Sequence, residues 1–261
     1  VGKFVMIGDH KQLPAVVLQH EEQTEVYDEE LRRIGMLNLK DSLFERLYRL
    51  HLERNDSRAF DMLCYQGRMH PLVAEFSNRF FYGDKLKPVG LKHQKIPMES
   101  AVFFRPSVSE TSNAYGKTNR MEAKIVAEWA VEIWKEYGDD FNAERTLGVI
   151  TPYRNQIALI RKELRKSGIT VLEQISVDTV ERYQGSERDV IIYSFCLNRP
   201  EQLELLPNLT KEDGVLIDRK LNVVLTRARR CLYVTGVPEL MEQNEIYRKL
   251  LDYLTSDKGK A

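Results

Sequence analysis

The chain has 261 residues, of which 43% are hydrophobic and 30% charged, a composition that fits one large or two small globular domains and excludes a disordered chain. Lys plus Arg is 39 and Asp plus Glu is 39, so binding of nucleic acid through bulk charge is excluded while a local basic groove stays open. The three cysteines, Cys64, Cys196 and Cys231, form no C-x-x-C pair, which excludes a disulfide framework and a cysteine-rich zinc site and fits a reduced, cytoplasmic setting.

Val1 to Asp9 reads as a short buried strand ending in a Gly-Asp turn. A chain that opens inside a strand reads as part of a longer protein. No signal peptide opens the given sequence, and no apolar run in it approaches the ~20 residues that span a bilayer, so no membrane partner is expected. Residues 21–30 are acidic and read as solvated surface. Leu39 to Leu52 reads as a helix, with Asp41 as its cap and Leu43, Phe44, Leu47 and Leu50 on one face. Pro71 to Phe81 is a second helix, with proline in its first turn. Residues 83–100 read as loop, and Ala101 to Phe104 as a strand.

Thr118 to Tyr137 carries the clearest helical pattern. Asn119 sits at the cap position with Glu122 three residues on, and Ile125, Val126, Trp129, Ile133 and Trp134 follow at helical spacing. Strand and helix then alternate. Leu147–Ile150 is a strand, and Asn155 to Ser167 a helix closed by Gly168. Ile175–Val177 and Val190–Phe195 are strands, and residues 198–218 a polar connection. Leu221 to Ala228 is helical, Cys231 to Thr235 is the last strand, and Pro238 to Leu254 is a closing helix. Apolar strands between amphipathic helices imply an α/β fold, a parallel sheet covered on both faces.

Gly116-Lys117-Thr118 looks like the end of a phosphate-binding loop. Such a loop needs G-x-x-x-x-G-K-[ST] directly after a strand, and its first glycine would fall at Thr111. We read the tripeptide as a turn before the Asn119-capped helix. No Asp-Glu pair follows an apolar strand within the chain, so a Mg²⁺ site of its own is not expected.

Five polar clusters carry the chemistry. They are Gly8-Asp9-His10-Lys11-Gln12-Leu13-Pro14, Arg68-Met69-His70-Pro71, Ile150-Thr151-Pro152-Tyr153 with Gln156, Thr179-Val180-Glu181-Arg182-Tyr183-Gln184-Gly185, and Leu221-Asn222-Val223-Val224-Leu225-Thr226-Arg227-Ala228-Arg229. Singly each is weak. In this order they resemble the second half of a superfamily 1 helicase motor, of the branch containing the nonsense-mediated-decay helicase and the replication helicase-nuclease. The resemblance covers residues 3 to 237, and Asn119-Arg120-Met121-Glu122-Ala123 adds a smaller agreement.

The resemblance implies a RecA-like P-loop NTPase fold, in its second motor domain and without the phosphate loop. Residues 1–20 would be a strand and turn left over from the first RecA-like domain, 21–60 a connecting helical segment, and 61–261 the second domain. ATP with Mg²⁺ would be bound mainly by a first domain outside this sequence. Arg68 and Arg227 match the family's arginine fingers, which suit a transferring phosphoryl group because arginine stays charged and presents a planar fork of donors. Gln12 matches a glutamine near the γ-phosphate. Glu187 matches an acidic contact on the sugar side of the nucleotide, with Gly185 beside it. Thr151, Pro152, Tyr153, Thr179 and Gln184 match positions along single-stranded nucleic acid, with DNA placed ahead of RNA as the partner. The family pattern further implies a monomer in which Met69 and His70 frame Arg68, and Arg229 and Arg230 are solvated or touch a neighbouring acid. The chain departs from it at Gly67, where relatives carry tyrosine, and at Glu181, where they often carry aspartate. Two rival readings remain: a nucleic-acid-binding scaffold derived from a degenerate motor, and an accessory domain of a helicase-nuclease.

Overall fold

A computed structural model describes residues 2–14, 17, 19–110, 116–212 and 214–256. Two compact units form, Val1–Cys64 and Tyr65–Ala261.

In the first unit the predicted opening strand is absent. Residues 2–9 have no regular secondary structure, and Phe4, Val5 and Ile7 are exposed. A strand needs a neighbour for its backbone groups, and none pairs with this segment among the described residues. The segment ends in a turn, with the amide N–H groups of Lys11 and Gln12 donating to the Asp9 side chain (3.0 Å) and carbonyl (3.1 Å). His10 stacks on Tyr48 at 4.5 Å between ring centroids. Tyr48 lies on the helix Leu43–Glu53, which starts later than its apolar pattern predicts. Its cap is Ser42, whose hydroxyl accepts from Glu45 N at 3.1 Å, and not Asp41.

The second unit holds the expected parallel sheet. Nine strands occur among the described residues: β1 Tyr65–Gln66, β2 Lys87–Pro88, β3 Val102–Pro106, β4 Leu147–Ile150, β5 Ser176–Asp178, β6 Arg188–Ser194, β7 Leu209–Glu212, β8 Val215–Asp218 and β9 Ala228–Gly236. Five of them form the central sheet in the order β3-β9-β6-β4-β5, every neighbouring pair parallel. Strand residues alternate between two buried faces. Leu147, Val149, Val177, Val190 and Ile192 pack under the helices Arg120–Tyr137 and Arg154–Lys166, with Val126, Trp129, Ile160 and Leu164. On the other face Phe195 meets Tyr247 of the helix Glu245–Thr255 at 5.0 Å between centroids. Burial on both faces explains why these strands read as unbroken apolar runs. The arrangement is a RecA-like α/β fold.

Three connections differ from the sequence reading. The loop 83–100 contains β2, paired to β1, and a 3₁₀ turn at Lys92–Lys95. The polar stretch 198–218 contains the short helix Gln202–Leu205 and the antiparallel hairpin of β7 and β8. The closing helix is two helices, Pro238–Met241 and Glu245–Thr255, because the Asn244 side chain accepts from Ile246 N and Tyr247 N and starts a new helix there.

Candidate functional site

The parallel register brings three motifs to one edge of the sheet. Glu187 and Arg227 directly precede the paired starts of β6 and β9, where Arg188 lies beside Ala228 and Arg188 N donates to Arg227 O at 3.1 Å. The segment after β1 is tied to the same place, because His70 N donates to Arg229 O at 2.8 Å. Arg68 therefore reaches Glu187. Its Nε donates to Glu187 Oε2 at 2.7 Å, and its Nη1 donates to Thr226 O at 3.3 Å. The Arg68 hydrogen bond and charge, joined by Arg229 and Arg227, hold the Glu187 carboxyl below the usual carboxylate range. Glu187 follows a tight turn in which Ser186 N donates to Tyr183 O at 3.0 Å. Gly185 sits there at φ +86°, in the left-handed region that a glycine adopts without cost.

The two candidate fingers differ. The Arg68 side chain is 32% exposed. Arg227 is 2% exposed, and its guanidinium donates to Val223 O at 3.0 Å, to Ser186 O at 3.5 Å and to Thr226 Oγ1 at 3.0 Å. Arg229 touches acids, as expected, with Asp189 at 3.2 Å and Glu187 at 3.8 Å. Arg230 instead lies over the Tyr137 ring and donates to its hydroxyl at 3.2 Å. Met69 and His70 are buried. His70 caps the helix Pro71–Phe81 through Nδ1, which accepts from Leu72 N at 3.3 Å. Gln12 belongs to the first unit, where its side chain donates to Asp9 Oδ2 at 3.0 Å.

Most candidate strand contacts gather at the opposite edge of the sheet. Thr151 follows β4 and Thr179 follows β5, and Thr151 N donates to Asp178 O at 3.2 Å. Thr151 is fully buried and its hydroxyl has no hydrogen-bond partner among the described residues, so it does not present that hydroxyl to a strand crossing the surface. Pro152, Tyr153 and Thr179 are half-buried. Gln184 is exposed, but it stands in the Gly185 turn on the way to Glu187.

Behind Tyr153 lies a buried polar network that motif reading missed. Gln202 donates to the Tyr153 hydroxyl, to Gly116 O and to Cys196 O at 3.0, 3.0 and 3.2 Å. Gln156 closes a two-way pair with the Asn119 backbone, accepting from its N at 2.9 Å and donating to its O at 3.0 Å. Asn119 caps the helix Arg120–Tyr137 as expected, accepting from Glu122 N at 2.9 Å. The Glu122 carboxyl does not fold back to complete a capping box. It points inward and accepts from Ser194 Oγ at 2.6 Å, Cys196 N at 2.8 Å and Ser107 Oγ at 3.2 Å. Burial, against these bonds, pushes its pKa up to about 7. The sequence offered one signal for this network: Asn119 and Glu122 stand at the cap and third position of a helix whose following turns are apolar.

Gly116 belongs to the same network. Its carbonyl accepts from Asn198 and Gln202, as suits a turn and not a phosphate cradle, while Thr111 lies outside the described residues. Among the described residues no group of three or more His, Cys, Asp or Glu is placed to hold a metal ion.

Arginines from separate motifs thus converge on one edge of the parallel sheet. The chain belongs to the AAA-domain family, whose model matches residues 39–239. It is similar to helicase sen1 of Schizosaccharomyces pombe, with 29% identity over 98% of this chain and 14% of that one. It is 32% identical to a probable helicase of Dictyostelium discoideum, over 98% of this chain and 24% of that one. It is 28% identical to the human DNA replication ATP-dependent helicase/nuclease DNA2, again over 98% and 24%. The superfamily 1 helicase resemblance therefore holds, and the chain spans from 14% to 24% of the length of these relatives. A solved C-terminal domain of a possible DNA helicase from Lactobacillus plantarum covers 70% of this chain and 92% of its own at 14% identity, with a TM-score of 0.41, too loose a likeness to carry an argument.

Proposed function

We propose that this chain is the second motor domain of an ATP-dependent nucleic-acid helicase or translocase. The observation that carries the reading is the convergence of Arg68, Arg227 and Glu187, from three separate motifs, on the shared edge of β6 and β9. Two arginines beside one carboxylate match the flank of a nucleoside triphosphate: cations for the phosphates and an acceptor for a sugar hydroxyl. They are part of such a site only: the sequence has no G-x-x-x-x-G-K-[ST] loop, and among the described residues no group of three or more His, Cys, Asp or Glu is placed to hold a metal ion. ATP, when bound, supplies a transferable phosphoryl group whose charge builds up in the transition state.

Arg68 is the finger of choice. Its side chain is partly exposed and held by a carboxylate that a phosphate can outcompete. Arg227 shapes the floor, tying Ser186 O to Val223 O and so fixing where Glu187 stands. At the opposite edge Tyr153 and Thr179 meet the strand, with bases stacked on the Tyr153 ring. Single-stranded nucleic acid is the partner, DNA ahead of RNA, and a first RecA-like domain supplies the phosphate loop and the metal carboxylates.

The test is ATP hydrolysis by the longest natural form of the protein, with and without single-stranded DNA or RNA. Strand-stimulated hydrolysis that falls by ~10³–10⁵ in Arg68→Ala supports the motor, this being the range for loss of an arginine finger. Undiminished hydrolysis in the variant overturns it.

A further inference from the structure

We propose that His93 is a positioning residue for Arg68, holding the backbone of that arginine where its side chain can meet a phosphate. The proposal rests on the motor reading above. His93 lies in none of the helicase motifs; it stands in the 3₁₀ turn Lys92–Lys95.

Two side chains of that turn strap the segment that carries Arg68. His93 Nε2 lies 2.8 Å from Arg68 O. Gln94 Nε2 donates to Gln66 O at 2.9 Å and to Met69 O at 3.0 Å. The carbonyls of residues 66, 68 and 69 are thus all held from one turn. Gln94 is itself fixed, because its Oε1 accepts from Gly90 N and Leu91 N, both at 3.0 Å. The other ring nitrogen of His93, Nδ1, lies 3.4 Å from an Arg229 nitrogen. Arg229 in turn pairs with Asp189 and Glu187.

These partners decide the tautomer. A carbonyl only accepts, so Nε2 carries the hydrogen. A guanidinium only donates, so Nδ1 is bare. One neutral imidazole therefore bridges the backbone of Arg68 and the side chain of Arg229, joining the two arginine-bearing motifs behind Glu187. A finger works by arriving within a fraction of an ångström of the charge it stabilises, and a misplacement of about 1 Å costs ~10²-fold in rate. Holding Arg68 by its backbone leaves its guanidinium available to exchange Glu187 for a phosphate.

The two halves of the bridge separate by substitution. Gln at 93 carries an N–H near the place of Nε2 and keeps the strap on Arg68 O. Asn carries an acceptor near the place of Nδ1 and keeps only the Arg229 contact. Steady-state ATP hydrolysis is measured on the longest natural form of the protein for His93→Gln, His93→Asn and His93→Ala beside Arg68→Ala, with thermal midpoints taken for each. We expect kcat to fall ~10- to 100-fold in His93→Asn and His93→Ala, with KM for ATP and the midpoint little changed, and His93→Gln to stay near wild type. Wild-type kcat in His93→Asn, against a deep loss in Arg68→Ala, overturns this proposal alone. A His93→Gln variant as slow as His93→Ala overturns it too, since the loss would then follow from packing. A flat Arg68→Ala overturns the motor reading and this proposal with it.

Discussion

Arg68 and Glu187 stand 119 residues apart in the chain and meet at 2.7 Å at the edge where β6 and β9 begin. Both side chains are partly exposed, at 32% and 46%. An ion pair of this kind contributes ~0–1 kcal/mol to stability. On the proposed function its value lies elsewhere: Glu187 keeps a partly exposed arginine oriented at the place where a phosphate would compete for it.

The two candidate fingers should therefore separate by experiment. Arg68→Ala should lower hydrolysis by ~10³-fold or more and change unfolding free energy by less than about 1 kcal/mol. Arg227→Ala should cost both. Its buried guanidinium holds backbone carbonyls of Val223 and Ser186, and leaving such groups unsatisfied costs about 1–3 kcal/mol each. Urea unfolding beside ATPase assays reads both effects. Equal stability losses in the two variants would contradict the assignment.

Glu122 should make the fold weaken as pH rises. Its carboxyl is fully buried and its pKa stands raised from 4.5 to about 7. Below pH 4.5 it is protonated whether folded or not. Between these values the folded state keeps a proton that the unfolded chain releases, so stability is lost as pH climbs through about 7. At roughly 1.4 kcal/mol per pH unit, the rise from 4.5 to about 7 amounts to roughly 3 kcal/mol. Glu122→Gln keeps acceptors for Ser194 and Cys196 and removes the titration. Denaturation midpoints at pH 5 and pH 8 should diverge in the wild type and draw together in the variant; an identical pH slope in both would exclude Glu122 as the source.

Gly148 should tolerate no side chain. A Cβ there would overlap the Tyr183 hydroxyl, which is hydrogen-bonded to Ser176, and would lie 2.9 Å from a Tyr183 ring carbon and 3.0 Å from the Arg188 stem. Overpacking of this kind costs ~1–3 kcal/mol. Gly148→Ala should lower the unfolding free energy by that amount, and Tyr183→Phe in the same chain should recover part of it. Additive losses in the double variant would show that Tyr183 is not the obstacle.

Tyr153 should act through its ring. Its hydroxyl accepts from Gln202 at 3.0 Å, which orients the side chain at the end of β4. Base–aromatic stacking is worth ~1–3 kcal/mol per base. Tyr153→Ala should weaken binding of a fluorescent single-stranded oligonucleotide by that amount, while Tyr153→Phe should bind nearly as the wild type does. Equal anisotropy titrations for wild type and Tyr153→Ala would remove Tyr153 from the strand path.

Much of the second unit was legible from local pattern. The helix Pro71–Phe81 falls where its proline and apolar spacing put it, and Asn119 caps Arg120–Tyr137 as its position implies. The apolar strands β4 and β6 lie in the parallel sheet that strand–helix alternation requires. Errors came where a residue's partner is distant. Val5 and Ile7 look like strand core, yet they are exposed, because an apolar run is a strand only if another strand lies beside it. Asn244 and the hairpin of β7 and β8 were hidden inside longer patterns, since a cap or a turn of one or two residues hardly alters periodicity.

The sequence by itself determined the strands of the central sheet, most of the amphipathic helices, the Asn119 cap and the order of motifs that marks the helicase family. These depend on residues within one or two turns of each other, or on motif order read directly. Tertiary structure alone decided that Arg68 faces Glu187 while Arg227 is buried, that Thr151 is covered, and that Glu122 holds its proton near neutral pH. Those outcomes are set by register and by exclusion of water, and neither has any expression until the strands lie side by side.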